Sequence, residues 1–234
     1  MLEPRPNRDS LPLVLVVDDD PSIRKSLARL FKAAGLNVES FDSARAFLER
    51  PTPDGAVCVV LDQKLPGLTG LELQKRLSDE DRPMSIVFLT AHGDVEVSVE
   101  AMKGGAVDFL AKPIEGERLL DAVRSGLERS AVALDKRWER ERFLERVARL
   151  TPREREVAAH VAQGLLNKQI AAELGTSEKT VKAHRGRVME KLAVGSVAEL
   201  VRLAERNDIL WSSPAPLSPA ATPATKRSGA NRSH

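Results

Sequence analysis

Cysteine is nearly missing from this 234-residue chain, and no apolar run in it is long. A lone thiol, Cys58, cannot form an internal disulfide, and its place in the apolar run Val57–Leu61 marks a buried strand residue rather than a reactive group. The four histidines, His92, His160, His184 and His234, are scattered, so no Cys/His set has the spacing of a zinc site. No stretch approaches the ~20 apolar residues that a bilayer-spanning helix needs. Residues Met1 to Pro12 also lack the apolar core of a secretory leader. These absences point away from secreted, membrane-embedded and zinc-dependent proteins, and a cytoplasmic location is the expectation. The 42% hydrophobic content that remains is enough for one or two ordinary cores.

The net charge of +2 conceals an asymmetry. Residues 1–130 carry 17 Lys and Arg against 22 Asp and Glu, net −5, whereas residues 131–234 carry 19 against 12, net +7. Two halves of opposite sign suggest two tasks, with the basic half facing a polyanion.

The acidic half alternates strand and helix signals, the pattern of a doubly wound parallel sheet. Leu13–Val17 leads into Asp20-Pro21, a helix cap followed by proline, and then Ile23, Leu27, Leu30 and Phe31 at helical spacing. Asn37–Phe41 reads as a strand and Ala44–Arg50 as a short helix. Val57–Leu61 precedes the turn Leu65-Pro66-Gly67 and a capping box at Thr69 and Glu72. After the strand Ile86–Leu89, Asp94 is placed to cap a helix carrying Val95, Val99 and Met102. Ala106–Leu110 and Glu117–Leu127 complete five βα units. Residues 131–148 are charged and helix-prone, which fits a solvated connecting helix better than a dimeric coiled coil. From Leu150 four short helices are expected, with starts at Thr151, Asn167, Ser177 and a capping box at Ser196. Residues 212–234, rich in Ser, Pro and Ala, read as a disordered tail.

Chemistry-bearing residues stand where the apolar strands end. Asp18 and Asp19 follow the first strand, Asp62 the third, Thr90 the fourth, and Lys112 the fifth. Strand ends of a parallel sheet converge on the edge where such sheets bind ligands. Carboxylates gathered there repel by about 4 kcal/mol per pair at ~4 Å and an effective dielectric of ~20, and a hard divalent cation such as Mg²⁺ relieves that repulsion through oxygen ligands. Asp19 and Asp62 would ligate directly, Asp18 through water, with the Lys64 carbonyl as a further ligand. Asp62 is then positioned to attack a phosphoryl group, with Lys112 and Thr90 meeting its oxygens.

The segments around Asp18-Asp19-Asp20-Pro21, Asp62-Gln63-Lys64-Leu65-Pro66-Gly67, Thr90-Ala91-His92-Gly93-Asp94 and Phe109-Leu110-Ala111-Lys112-Pro113 together resemble the receiver domain of two-component response regulators, over residues 10–130. The resemblance implies a flavodoxin-like (βα)5 fold of strand order 2-1-3-4-5 and phosphorylation of Asp62 by a histidine kinase. It further implies a switch in which Thr90 moves toward the phosphoryl group and the aromatic at Phe109 turns inward. Phenylalanine stands there instead of the frequent tyrosine, so only packing responds. His92 is similar to its counterpart in the FixJ branch, although its residue-level reading is a plain loop residue.

In the basic half, a helix from Ser177 projects Val181, Val188 and Leu192 to one side and Lys179, Lys182, Ala183, Gly186 and Arg187 to the other. A basic outer stripe after a short helix and a Gly175-Thr176 turn has helix-turn-helix geometry. Thr151-Pro152-Arg153-Glu154, Asn167-Lys168-Gln169-Ile170-Ala171 and Thr180-Val181-Lys182-Ala183-His184 are similar to the LuxR-type DNA-binding domain over residues 149–211, so the chain resembles a FixJ/NarL-type response regulator. That resemblance implies Lys182, Ala183 and Gly186 in the major groove of double-stranded DNA, and Lys179, Thr180 and His184 toward its backbone; the helical projection puts Arg187 in reach of the backbone as well. It also implies a homodimer on activation and contact with RNA polymerase. Arg185 projects nearer the core flank. A non-enzymatic, phosphorylation-switched transcription factor is the leading expectation; a Mg²⁺-dependent phosphohydrolase and a phosphorylation-independent DNA-binding regulator are the alternatives.

Overall fold

A computed structural model describes residues 11–79, 84–91 and 95–209. In chain order the elements are β1 (Leu13–Val17), α1 (Pro21–Ala33), β2 (Asn37–Phe41), α2 (Ala44–Leu48), β3 (Val57–Asp62), α3 (Gly70–Asp79) and β4 (Met84–Thr90). They continue with α4 (Val95–Lys103), β5 (Asp108–Ala111), α5 (Gly116–Ala148), α6 (Pro152–Ala162), α7 (Asn167–Glu173), α8 (Glu178–Leu192) and α9 (Val197–Arg206). The chain divides into two compact units, residues 1–139 and 140–234.

The first unit is a five-stranded parallel sheet ordered β2-β1-β3-β4-β5. Its inner strands β1 and β3 are almost wholly buried, which is why they read as continuous apolar runs. Successive side chains still point to opposite faces. Val14, Val16, Cys58, Val60, Val87 and Leu89 pack under α1 and α5, whereas Leu15, Val17, Val59, Leu61, Ile86 and Phe88 pack under α2, α3 and α4. Two separate cores on the two faces make this a doubly wound α/β unit of flavodoxin-like order, as the sequence reading expects.

Local signals place most helix starts. Asp20 caps α1 by accepting the Ser22 N–H at 2.7 Å. Thr69 and Glu72 exchange the two bonds of a capping box before α3, and Thr151 and Glu154 do so before α6. Two details depart from the sequence reading, at α5 and at α9. The last helix of the first half does not stop at Leu127: α5 is one helix of 33 residues, because the charged stretch after it contains no glycine or proline to end it. Asn167 opens α7 as expected, and its side-chain oxygen accepts from Arg185 Nη1 at 3.2 Å. At α9, Ser196 caps as expected, but Glu199 reaches past it to the Gly195 N–H at 2.8 Å, so the box is not closed on Ser196 itself. The expected cap Asp94 and the tail 212–234 lie outside the described residues.

The second unit is a helical bundle whose core joins Phe143 and Leu150 to Val157 and Val161 of α6, Ile170 of α7, Val181, Val188 and Leu192 of α8, and Leu200 of α9. Among the described residues no helix is long and apolar enough to cross a membrane.

Candidate functional site

The β1–β3 neighbour pair is where the strand order of the first unit reverses direction, and the carboxyl ends of these strands open into the crevice such sheets use for ligands. Asp18 and Asp19 leave β1 there, Asp62 is the last residue of β3, Thr90 the last of β4, and Lys112 follows β5. Each of the three aspartates offers a carboxylate oxygen within 4.8 Å of the others'. Lys112 Nζ lies between two of them, 2.8 Å from Asp18 Oδ2 and 3.1 Å from Asp62 Oδ1. The cluster expected from the strand ends is therefore brought together.

Its three carboxylates occupy different environments. Asp18 is fully buried and both of its oxygens are engaged: Oδ1 accepts the Asp20 N–H at 2.9 Å and Oδ2 accepts from Lys112. Asp19 is exposed. Asp62 is buried, and that burial holds its carboxyl above the usual range; Lys112 opposes the shift, while the charges of Asp18 and Asp19 reinforce it. Burial alone would lower the Lys112 ammonium, but its bonds to Asp18 and Asp62 outweigh burial and raise it. The crevice thus holds excess negative charge around one fixed cation. An oxygen-only donor set with that excess fits a hard divalent cation.

Around this centre, Thr90 is buried and its hydroxyl donates to Gln63 Oε1 at 3.3 Å. Phe109 is half-buried, its ring 5.8 Å from that of Phe88. Lys64 lies two residues beyond Asp62 with its side chain exposed, and the Lys112–Pro113 peptide bond is cis. His92 is outside the described residues. Two neighbours escaped the sequence reading. Arg24 of α1 donates to the Asp18 carbonyl at 2.6 Å, and Gln63 meets Thr90. Neither residue type signals a role at its position, because each contact depends on how separate elements pack.

In the second unit, α8 buries Val181, Val188 and Leu192 and exposes Lys179, Thr180, Lys182, Ala183, Gly186 and Arg187. The outer stripe thus stands on one face of a helix anchored by its apolar side. His184 is half-buried, and the Thr180 hydroxyl lies 2.8 Å from that of the cap residue Ser177. Arg185 is half-buried on Asn167, a structural tie between α7 and α8. Lys191 at the end of α8 pairs with buried Glu154 of α6 at 2.6 Å. That bond, with the Thr151 N–H, depresses the Glu154 carboxyl to about 2.

Comparison with known proteins gives both units relatives. Residues 14–124 match the family described as response regulator receiver domain, and residues 148–204 match that described as bacterial regulatory proteins, luxR family. The chain is 48% identical over 197 residues to nodulation protein W of Bradyrhizobium diazoefficiens, covering 82% of this chain and 85% of that protein. It is 44% identical over 196 residues to the transcriptional regulatory protein FixJ of Azorhizobium caulinodans, covering 84% and 92%. Among solved structures it resembles the response regulator StyR, with a TM-score of 0.75 at 46% identity over 84% of this chain and all of that one. The Azorhizobium relative is thus named as a transcriptional regulatory protein and StyR as a response regulator. The chain belongs to the FixJ-type response regulators, which join a receiver domain to a LuxR-family DNA-binding domain.

Proposed function

We propose that Asp62 accepts a phosphoryl group from a cognate histidine kinase and that the modification promotes dimerisation and sequence-specific binding to double-stranded DNA. The observation that carries this reading is the bridging of Asp18 and Asp62 by Lys112 beside the exposed Asp19. The excess negative charge of this cluster suits a cationic partner, and Lys112 with that cation would receive the phosphoryl oxygens.

The residues have separate parts. An oxygen of Asp62 forms the new bond to phosphorus as the donor's bond to phosphorus breaks. Asp18, with both oxygens committed within the protein, would reach a cation only through water, whereas Asp19, Asp62 and the Lys64 carbonyl would hold it directly. Mg²⁺ bound there would screen the carboxylates from the incoming phosphoryl oxygens. Lys112 then neutralises one phosphoryl oxygen, and the Thr90 hydroxyl donates to another. Drawing Thr90 toward Asp62 opens space beside β4, and Phe109 responds by repacking.

At the other end, Lys182, Ala183 and Gly186 enter the major groove while Lys179, Thr180, His184 and Arg187 meet the phosphate backbone. The bare backbone at Gly186 leaves direct base reading to few side chains. Dimerisation through α9 would present two such helices to two half-sites, with RNA polymerase as the downstream contact. We further assign residues 10–130 to the receiver, 131–148 to a helical linker and 149–211 to the DNA-binding domain, acting in the cytoplasm.

The test is binding to DNA fragments selected by the protein from a random pool, with and without a small-molecule phosphoryl donor and Mg²⁺. Donor-dependent tightening that is absent in Asp62→Asn is expected. Affinity should also fall by about 0.9 log units per decade of salt for each phosphate neutralised. Equal binding by wild type and Asp62→Asn under both conditions would reject the switch.

A further inference from the structure

The hydroxyl of Thr90 is already committed before any phosphoryl group arrives. It donates to Gln63 Oε1 at 3.3 Å, across from β4 to the loop that follows β3. Gln63 is the residue directly after Asp62, so this bond sits beside the group that would be modified.

The backbone fixes Gln63 on both sides. Its N–H donates to the Leu89 carbonyl at 2.9 Å, and its carbonyl accepts from the Gly70 N–H at 3.0 Å. The close approach of α3 to this loop requires glycine at position 70: a Cβ there would lie 2.8 Å from the Asp62 carbonyl oxygen and 3.2 Å from Gln63 Cα. With its root clamped and its side chain half-buried, the Gln63 carboxamide meets Thr90 as a positioned group.

A hydroxyl carries one proton. While Gln63 Oε1 accepts that proton, a phosphoryl oxygen cannot, so the two acceptors compete for Thr90. We propose that Gln63 is a positioning residue that restrains the Thr90 switch in the unphosphorylated protein and slows phosphorylation of Asp62; this rests on Asp62 being the phosphoryl acceptor. The restraint is a small bias on a two-state side chain, of the size that one neutral hydrogen bond supplies. It works through Thr90 and requires no contact between Gln63 and the phosphoryl group.

The experiment follows acyl phosphate formation on the full chain by intact mass, with acetyl phosphate and Mg²⁺. In that reaction an Asp62 oxygen bonds to phosphorus while the bridging P–O bond of the donor breaks, and acetate leaves with the bonding pair. Gln63→Met keeps the side-chain length and removes the acceptor, and it should react about threefold to tenfold faster than wild type; Gln63→Leu serves as a second variant lacking the acceptor. Gln63→Glu retains an acceptor oxygen and should react no faster than wild type. In a Thr90→Ala background, adding Gln63→Met should change nothing, a dependence that a merely structural role for Gln63 would not produce.

Unchanged or slower reaction of both Gln63→Met and Gln63→Leu overturns the inference. So does acceleration that persists without the Thr90 hydroxyl, or acceleration by Gln63→Glu. Wild-type protein that gains no phosphoryl group at Asp62 overturns the underlying reading and the inference with it.

Discussion

The ammonium of Lys112 lies 2.8 Å from Oδ2 of Asp18, a carboxylate with no solvent exposure, and the same nitrogen reaches Asp62. Removing that cation leaves two buried carboxylates facing each other. Lys112→Met should therefore lose about 1–3 kcal/mol of stability in EDTA, less than a fully buried broken pair costs because the site is partly open to water. Mg²⁺ should recover more stability in the variant than in wild type. Urea titrations in EDTA and in Mg²⁺ check this.

Asp62→Asn should act in the opposite direction. A carboxyl whose folded-state pKa is raised favours folding when protonated, and that contribution is lost as pH rises through the folded value. Ionised Asp62 thus destabilises the cation-free protein near neutrality, and the asparagine variant should melt higher in EDTA. The difference should shrink as the pH falls toward and below the ordinary Asp value of 3.8. Melting curves across that range decide it.

Glu154 reverses the sign. Its folded pKa of about 2 lies below the ordinary 4.5, because Lys191 and the Thr151 N–H stabilise the carboxylate. Its contribution is complete above about 4.5 and is lost as pH falls from there toward 2. Glu154→Gln should cost about 1.5–3 kcal/mol at neutral pH, the range for hydrogen bonds to charged groups. It should also flatten the acid limb of the stability profile of the second unit.

Much of this architecture is legible in the amino-acid sequence, for specific reasons. The apolar runs of β1 and β3 are continuous because both faces of those strands are covered, and Asp18, Asp62 and Thr90 stand at strand ends, where topology forces convergence. Caps at Asp20, Thr69 and Thr151 could be read because their partners lie within three residues. Contacts across long sequence distances could not. Ser130 Oγ accepts the N–H of Val57 from 73 residues away, Arg185 ties to Asn167, and Gln63 meets Thr90 only because β3 and β4 are neighbours. The end of the fifth helix is hidden in the sequence for another reason: its apolar stripe thins after Leu127, yet backbone hydrogen bonding continues to Ala148.

Gly126 of α5 rests on Cys58 of β3. A Cβ at position 126 would lie 2.7 Å from Cys58 Sγ, so helix and sheet approach closely only with glycine there. Gly126→Ala should cost about 1–3 kcal/mol through overpacking, and Cys58→Ala in the same chain should restore part of it. Burial also pushes the Cys58 thiol up to about 12, so the native protein should resist thiol reagents until it unfolds.

Gly186 presents a different balance. Nothing lies within 4 Å of where its Cβ would be, and it sits inside α8. Gly186→Ala should stabilise the second unit by about 1 kcal/mol. A long side chain such as Gln at this position should instead change DNA affinity or sequence preference if the outer face of α8 enters the groove. Denaturation and binding to selected fragments separate the two effects.

The most direct test of the account is the intact mass of the full chain after incubation with acetyl phosphate, with Mg²⁺ or with EDTA. Wild type should gain one phosphoryl group only with Mg²⁺, on the peptide that carries Asp62, and Asp62→Asn should gain none. No gain in wild type, or an equal gain in Asp62→Asn, would contradict it.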